Sequence, residues 1–217
     1  VDGTVEDARL ISISDPAEAR GHLRKYILDL SPAERYDLQV ITPMNKGLLG
    51  TTELNTFIQE FILPPAQLAG GLAVGKRRFC LGDRVMQTRN NYDRGVFNGT
   101  IGTVISIDPE DKSLTIDFDG EFNDYDVTDL GEIVHAYAIT IHKSQGSEFP
   151  KVILLLANEH FVMLQRTLVY TAMTRAKSDL TIIASDYALN QSIRNALVST
   201  RRTSLRERLS KSEVPVF

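Results

Sequence analysis

Residues 70–77 read GGLAVGKR, which satisfies G-x-x-x-x-G-K at its first seven positions. The fold turns on this stretch. A phosphate-cradling loop follows a buried strand and leads into a helix, so that backbone N–H groups and the helix N-terminus face the phosphates. Neither neighbour fits. Pro64, Pro65, Ala66 and Gln67 precede the stretch, and a strand pattern follows it. The residue after Lys76 is Arg77, where a Ser or Thr hydroxyl would hold the magnesium ion. No other stretch fits, and no apolar strand ends in Asp-Glu. The match is read as a coincidence of common residues, and the chain as one with no complete nucleotide triphosphate site of its own.

Outward from that stretch the pattern changes on both sides. Residues 8–13 alternate as a strand. Asp15 and Pro16 open a helix, as N-cap and first helical residue, with Ala19, Leu23, Ile27 and Leu30 as its apolar stripe. Residues 38–42 read as a buried strand ending at Pro43, followed by a small-residue loop at 45–50. Residues 52–62 read as a helix with Leu54, Phe57, Ile58 and Phe61 on one side. This rhythm predicts a parallel α/β sheet. It breaks at Pro64 and Pro65. Short strands at 83–88, 102–107, 113–118 and 122–127, with turns at Asn98-Gly99, Asp108-Pro109 and Asp119-Gly120, predict a small β-barrel. The rhythm then resumes, with a helix or helical turn over 136–145, an apolar strand at 152–157, a helix over 163–177, a strand at 180–184 and a helix over 187–198. The expected fold is therefore an α/β domain whose two halves form one sheet around a β insertion. The expected bounds are 1–72 and 135–200 for the α/β parts, 73–134 for the barrel and 201–217 for a polar, basic tail.

Composition narrows the class. The chain has 217 residues, with 42% hydrophobic and 24% charged, as in ordinary soluble globular proteins. A single cysteine, Cys80, excludes an internal disulfide and a cysteine-based zinc cluster, and fits a reducing cytosol. No apolar run reaches membrane-span length and no signal-peptide pattern opens the chain, so a cytoplasmic location is expected. The first residue is Val1, which leaves open processing or excision from something longer. Net charge is −4, a weak argument against wholesale nucleic-acid coating. Its distribution is uneven: bases dominate residues 76–94 and acids dominate 108–132. Two solvated faces account for this as readily as a module that turns one side to a polyanion.

Three further stretches carry chemistry. AYAITIHKSQGSEF, residues 136–149, places His142, Lys143 and Glu148 around Gly146, a residue suited to left-handed backbone. Each side chain alone reads as an ordinary surface group. LVYTAMTRAK, residues 168–177, has Leu168, Ala172 and Ala176 at helical spacing, with Thr174 and Arg175 near the helix end. Arg175 there either complements the helix dipole or offers its fork of N–H donors to a phosphoryl group. ITPMNKGLLG, residues 41–50, precedes Leu54 and Asn55 and carries a Gly and a Lys able to hold a backbone phosphate.

In order, these stretches resemble the superfamily 1 DNA helicases of the RecD/TraA-like branch, which includes the exodeoxyribonuclease V alpha subunits. TIHKSQGSEF is similar to that family's motif V and YTAMTRAK to its motif VI, while GDRVMQTRNNYDRGVFNG, residues 82–99, resembles the start of its SH3-like insertion. The resemblance covers residues 38–185. It implies a RecA-like domain 2A, a P-loop NTPase fold without its P-loop, interrupted by an SH3-like β-barrel, 2B. It implies an arginine finger at Arg175 and nucleotide contacts at Gly146, Glu148 and Thr174. It places Pro43, Lys46, Gly47, Thr140, His142 and Lys143 against single-stranded DNA, with Asn91, Tyr92, Phe97 and Asn98 on the barrel side of the channel. Core packing in the barrel is the equal alternative for Phe97. ATP and Mg²⁺ are implied for a full-length enzyme, with the metal held mainly by an N-terminal RecA-like domain missing from this chain, and neither expected on this chain alone. Partners implied are that domain, single-stranded DNA and other subunits of a RecBCD-like complex; a membrane is not among them. DNA repair or recombination is the implied setting. The alternative function is a non-catalytic DNA-binding or interaction module derived from a helicase.

Overall fold

A computed structural model describes residues 7–195 of the chain. The polar tail expected at 201–217 lies outside them. The first part runs β1 (Asp7–Ile13), α1 (Pro16–Asp29), α2 (Pro32–Asp37), β2 (Leu38–Thr42), α3 (Thr51–Ile62) and α4 (Pro65–Ala69). Seven short strands follow: β3 (Leu72–Val74), β4 (Arg77–Phe79), β5 (Arg84–Gln87), β6 (Ile101–Asp108), β7 (Ser113–Phe118), β8 (Glu121–Tyr125) and β9 (Ile133–His135). The last part is β10 (Ala138–Thr140), β11 (Phe149–Leu156), α5 (Arg166–Met173), β12 (Ala176–Ser185) and α6 (Asp186–Arg194).

Strands from the two ends of the chain form one parallel sheet of order β1-β12-β11-β2-β10. All five residues of β2 are buried, as a run covered on both faces requires. One face packs under α1 and α3 through Leu23, Ile27, Leu54 and Ile58. The other packs under α5 and α6 and also receives Met86, Ile101 and Val134 from the intervening strands. Asp15 caps α1 as its sequence requires, its carboxylate accepting from the amides of Ala17 (2.8 Å) and Glu18 (2.9 Å).

The intervening strands form an open antiparallel sheet, β8-β7-β6-β5-β9, over one core that includes Phe79, Val104, Ile116 and Tyr125. The expected barrel is corrected here: its edge strands β8 and β9 do not pair, so the sheet does not close. GGLAVGKR forms the separate β3–β4 hairpin, with Val74 opposite Arg77. Gly75, at φ +60°, holds the first place of the two-residue turn. That is the demand of a tight hairpin, not of a strand-loop-helix phosphate cradle.

Two helix expectations also change. Residues 136–145 are not helical. Ala138–Thr140 is an edge strand parallel to β2, and turns follow it. The outer side of this strand is held by Asn55, whose amide donates to the Ala138 carbonyl (2.9 Å) and accepts from its N–H (2.8 Å). A side chain thus completes the pairing that an edge strand lacks. The helix expected over 163–177 spans only Arg166–Met173, and Ala176 starts β12 opposite Phe149. The last helix ends at Arg194, and Val198 lies outside the described residues.

A buried carboxylate joins the two sheets. Asp83, just before β5, accepts from the Cys80 amide (2.7 Å), Gln59 of α3 (2.7 Å), the Tyr137 hydroxyl (2.8 Å) and His135 (3.0 Å). Both chain crossings between the sheets therefore meet at one side chain. Burial, with the Asp83 charge beside it, pushes the Tyr137 phenol well above its ordinary range. Burial likewise pushes the Cys80 thiol up to about 11, which leaves it an inert packing group at neutral pH.

Candidate functional site

The parallel sheet presents two edges, and the residues singled out in the sequence divide between them. At the N-terminal edge of β11 and β12, Gly146 takes φ +87° and turns the chain into Ser147, Glu148 and Phe149. Arg175 follows the end of α5. Its Nε donates to the Thr171 carbonyl (3.0 Å), one terminal nitrogen to the Ser147 carbonyl (2.9 Å) and the other to the Thr174 hydroxyl (3.2 Å). The Arg175 carbonyl in turn accepts from the Phe149 amide (2.8 Å). The guanidinium therefore bonds the peptide link between Ser147 and Glu148, and the two stretches form one corner. Glu148 is exposed there. Three of the five guanidinium N–H groups are engaged and two remain.

At the C-terminal edge of β2, residues 43–50 form a tightly bonded loop. Thr42 donates to the Leu49 carbonyl (2.7 Å), and the Leu49 amide donates to Glu159 (2.8 Å). A Cβ at Gly47, whose φ is +96°, would stand 2.9 Å from the Glu159 carboxylate. His160 is fully buried behind this contact, its Nδ1 accepting from the Ala157 amide (3.1 Å) and its Nε2 lying 3.5 Å from the Thr42 hydroxyl. Burial pulls its pKa down to about 4, so the ring is neutral. The sequence reading missed Glu159 and His160. Their only signal was polarity directly after an apolar strand. Pro43 is buried, whereas Lys46 and Gly47 are exposed.

The crossover from β10 to β11 connects the two edges. Thr140 is buried, and its hydroxyl accepts from the Lys143 amide (3.2 Å), which starts the turn. His142 and Lys143 are exposed, and the Lys143 ammonium donates to the Asn98 side-chain carbonyl (2.5 Å). A cleft of about 400 Å³ lies here between Asn98, His142, Gly146 and Ser147. Asn91 is half-buried, and its side-chain oxygen accepts from the Arg94 amide (3.2 Å) in a local turn. Tyr92 and Phe97 are 78% and 51% exposed and meet edge to face at 6.0 Å. Packing in the core is thus excluded for Phe97; its neighbour Val96 fills that role.

A groove of about 350 Å³ continues from Lys143 between α3 and the smaller sheet. Its floor includes Met86, Val134 and Ile139, and Asn45, Thr52 and Lys76 line it as well. Among the described residues no carboxylate lines it. No group of His, Cys, Asp and Glu among those residues is arranged to hold a metal, and no helix among them is long and apolar enough to cross a membrane.

Comparison with known proteins places these features. Residues 54–118 match the family described as the ATP-dependent RecD-like DNA helicase SH3 domain, and residues 135–183 match the UvrD-like helicase C-terminal domain. The chain is 41% identical over 140 residues to the ATP-dependent RecD2 DNA helicase of Deinococcus radiodurans, covering 64% of this chain and 19% of that protein. It is 36% identical over 134 residues to the RecBCD enzyme subunit RecD of Mycolicibacterium smegmatis, covering 62% and 23%. It spans about a fifth of the length of these curated relatives. Its fold is similar to that of the Bacteroides Pif1 helicase in complex with ADP-AlF3 and ssDNA, with a TM-score of 0.51, 18% identity, and 84% of this chain and 51% of that one covered. Both matched families fall where the two sheets lie, and the chain belongs to the superfamily 1 RecD-like helicases, as a C-terminal helicase domain with its SH3-like domain.

Proposed function

We propose that this chain is the C-terminal motor half of an ATP-dependent DNA helicase moving 5′ to 3′. In this reading residues 1–72 and 135–200 form domain 2A and residues 73–134 form domain 2B. An N-terminal RecA-like domain of the same polypeptide supplies the phosphate loop and most of the magnesium coordination. Arg175 is the arginine finger. Gly146, Glu148 and Thr174 complete the nucleotide corner, the Glu148 carboxylate reaching toward the ribose. Single-stranded DNA passes Pro43, Lys46, Gly47, Thr140, His142 and Lys143, with Asn91, Tyr92, Phe97 and Asn98 on its other side. Other subunits of a RecBCD-like complex are candidate partners.

The observation that carries this reading is the bond from Arg175 to the Ser147 carbonyl. It fixes the guanidinium beside the Gly146 turn while two N–H groups stay free for a γ-phosphoryl oxygen. A capping role alone needs only the bond to Thr171. ATP supplies the phosphoryl transfer when bound. The residues of this chain orient it and stabilise developing charge, a contribution of roughly 10³–10⁵ in rate for an arginine finger. Closure of the two domains around ATP advances the protein along the strand.

The test is Arg175→Ala in the full-length enzyme. DNA-stimulated ATP hydrolysis is expected to fall by about 10³ or more with ATP binding largely kept. Unimpaired hydrolysis contradicts the finger assignment, whereas a full-length parent without DNA-stimulated hydrolysis favours the non-catalytic DNA-binding or interaction module.

A further inference from the structure

The geometry points to a role for Lys76, the lysine of the failed phosphate loop: it holds a backbone phosphate of single-stranded nucleic acid, and the β3–β4 hairpin is the outer wall of the groove. This rests on the reading of that groove as the strand's path.

The hairpin turn projects Lys76 from its second position, beside Gly75. The side chain is exposed and has no hydrogen-bonded or ionic partner among the described residues. It lines the same groove as Asn45, Thr52, Thr140 and Lys143, which come from the loop before α3, α3 itself, β10 and the crossover. The hairpin thus faces the parallel sheet across an opening with a cationic, hydroxyl-bearing rim and an apolar floor. Such a rim suits phosphates, and such a floor suits sugars and bases.

The neighbouring Arg77 does different work. Its guanidinium donates to the Ile133 carbonyl and lies 5.5 Å from the Phe79 ring centroid. It ties the hairpin to β9 and the smaller core. Of two adjacent cations, one is therefore structural and one is free to meet a ligand. Nor can Lys76 serve ATP as its motif implies, because β4 rather than a helix follows it.

A phosphate contact is electrostatic and indifferent to sequence. Each one on a single strand contributes about 0.7 to the slope of log affinity against log salt. Binding of oligothymidylate by the full chain is measured by fluorescence anisotropy over a range of salt. In Lys76→Ala the slope is expected to fall by about 0.7, with equal losses on oligothymidylate and mixed-sequence strands. Lys76→Arg is expected to restore it, and melting temperature to stay at the parent value. Lys112→Gln, in the distant β6–β7 turn, is expected to leave the slope unchanged. A parent that binds while Lys76→Ala keeps the parent slope overturns the inference alone. A parent that binds no oligothymidylate at low salt overturns the groove reading with it. Binding of ATP, or of an acidic peptide in place of DNA, that is lost in Lys76→Ala also overturns the assignment.

Discussion

The smaller sheet has an opening on each side, and the two differ in charge. The groove between it and α3 holds about 350 Å³ and is lined by Lys76, Arg77 and Lys143, with no carboxylate among the described residues. The cleft on its other side holds about 450 Å³ and is lined by Asp37, Asp117 and Asp119. The one arginine in that cleft, Arg84, is turned inward. It donates to the Tyr36 carbonyl (2.5 Å), lies over the Tyr36 ring, and is held below its ordinary pKa by burial. A polyanion therefore meets attraction on one side and repulsion on the other, although net charge is −4. Net charge was a poor guide because the local sign is set by which strand faces which opening.

The joint that separates the openings offers the hardest way to break this contrast. Asp83→Ala removes the acceptor shared by Gln59, His135, Tyr137 and the Cys80 amide. A stability loss of about 3–5 kcal/mol is expected in denaturant unfolding. A loss below about 1 kcal/mol would mean the two sheets hold together without this hub.

Acid acts on the loop that borders the basic groove. His160 has a folded pKa of about 4, below its unfolded value near 6.5. The unfolded chain therefore binds the proton first. This contribution is complete above about pH 6.5 and is lost as pH falls toward 4, amounting to about 3 kcal/mol. Comparing unfolding of the parent and His160→Gln from pH 7 to 4 isolates it from the carboxylates. The parent is expected to lose more stability over that interval, and parallel curves would refute the buried neutral ring.

The remaining two tests sharpen the contrast in binding. Tyr92→Ala and Phe97→Ala are each expected to weaken oligothymidylate binding by about 1–3 kcal/mol if the exposed rings stack on bases. No change would return them to ordinary surface residues. The smallest effect belongs to the acidic side. Asp117→Asn with Asp119→Asn is expected to leave stability within about 0.5 kcal/mol and the salt slope of DNA binding unchanged, since no phosphate contact is lost or gained. A changed slope would bring the strand into that cleft.

Local chemistry made much of the fold legible. Leu38–Thr42 is apolar or β-branched at four of its five positions and flanked by proline, so its strand was read to the residue. Asp15 and Pro16 announced α1 in the same way. The errors arose where a distant partner decides. Ala138–Thr140 looks helical in isolation but is held as a strand by β2 on one side and Asn55 on the other. The helix before Arg175 ends early because the chain must pair Ala176 with Phe149. Phe97 and Val96 are adjacent, and only the structure shows which one enters the core. The acidic run was ambiguous for a related reason. Several of its carboxylates close turns, as Asp108 does for the Glu110 amide (2.9 Å), Asp117 for Gly120 (2.7 Å) and Asp126 for Thr128 (2.7 Å). Arg94, counted with the basic half, pairs with Asp129 across the divide. The corner where Arg175 bonds the Ser147 carbonyl was legible as residue types but not as geometry, because the two residues lie far apart in sequence and meet only in the fold.

The path of the strand is tested most directly by photocrosslinking. A benzoylphenylalanine is placed at Thr52, on the carboxylate-free groove, or at Thr103, on the acidic cleft, and each protein is irradiated with bound oligothymidylate. Crosslinking at Thr52 and none at Thr103 is the expected result. Crosslinking at Thr103 with none at Thr52 would contradict the account.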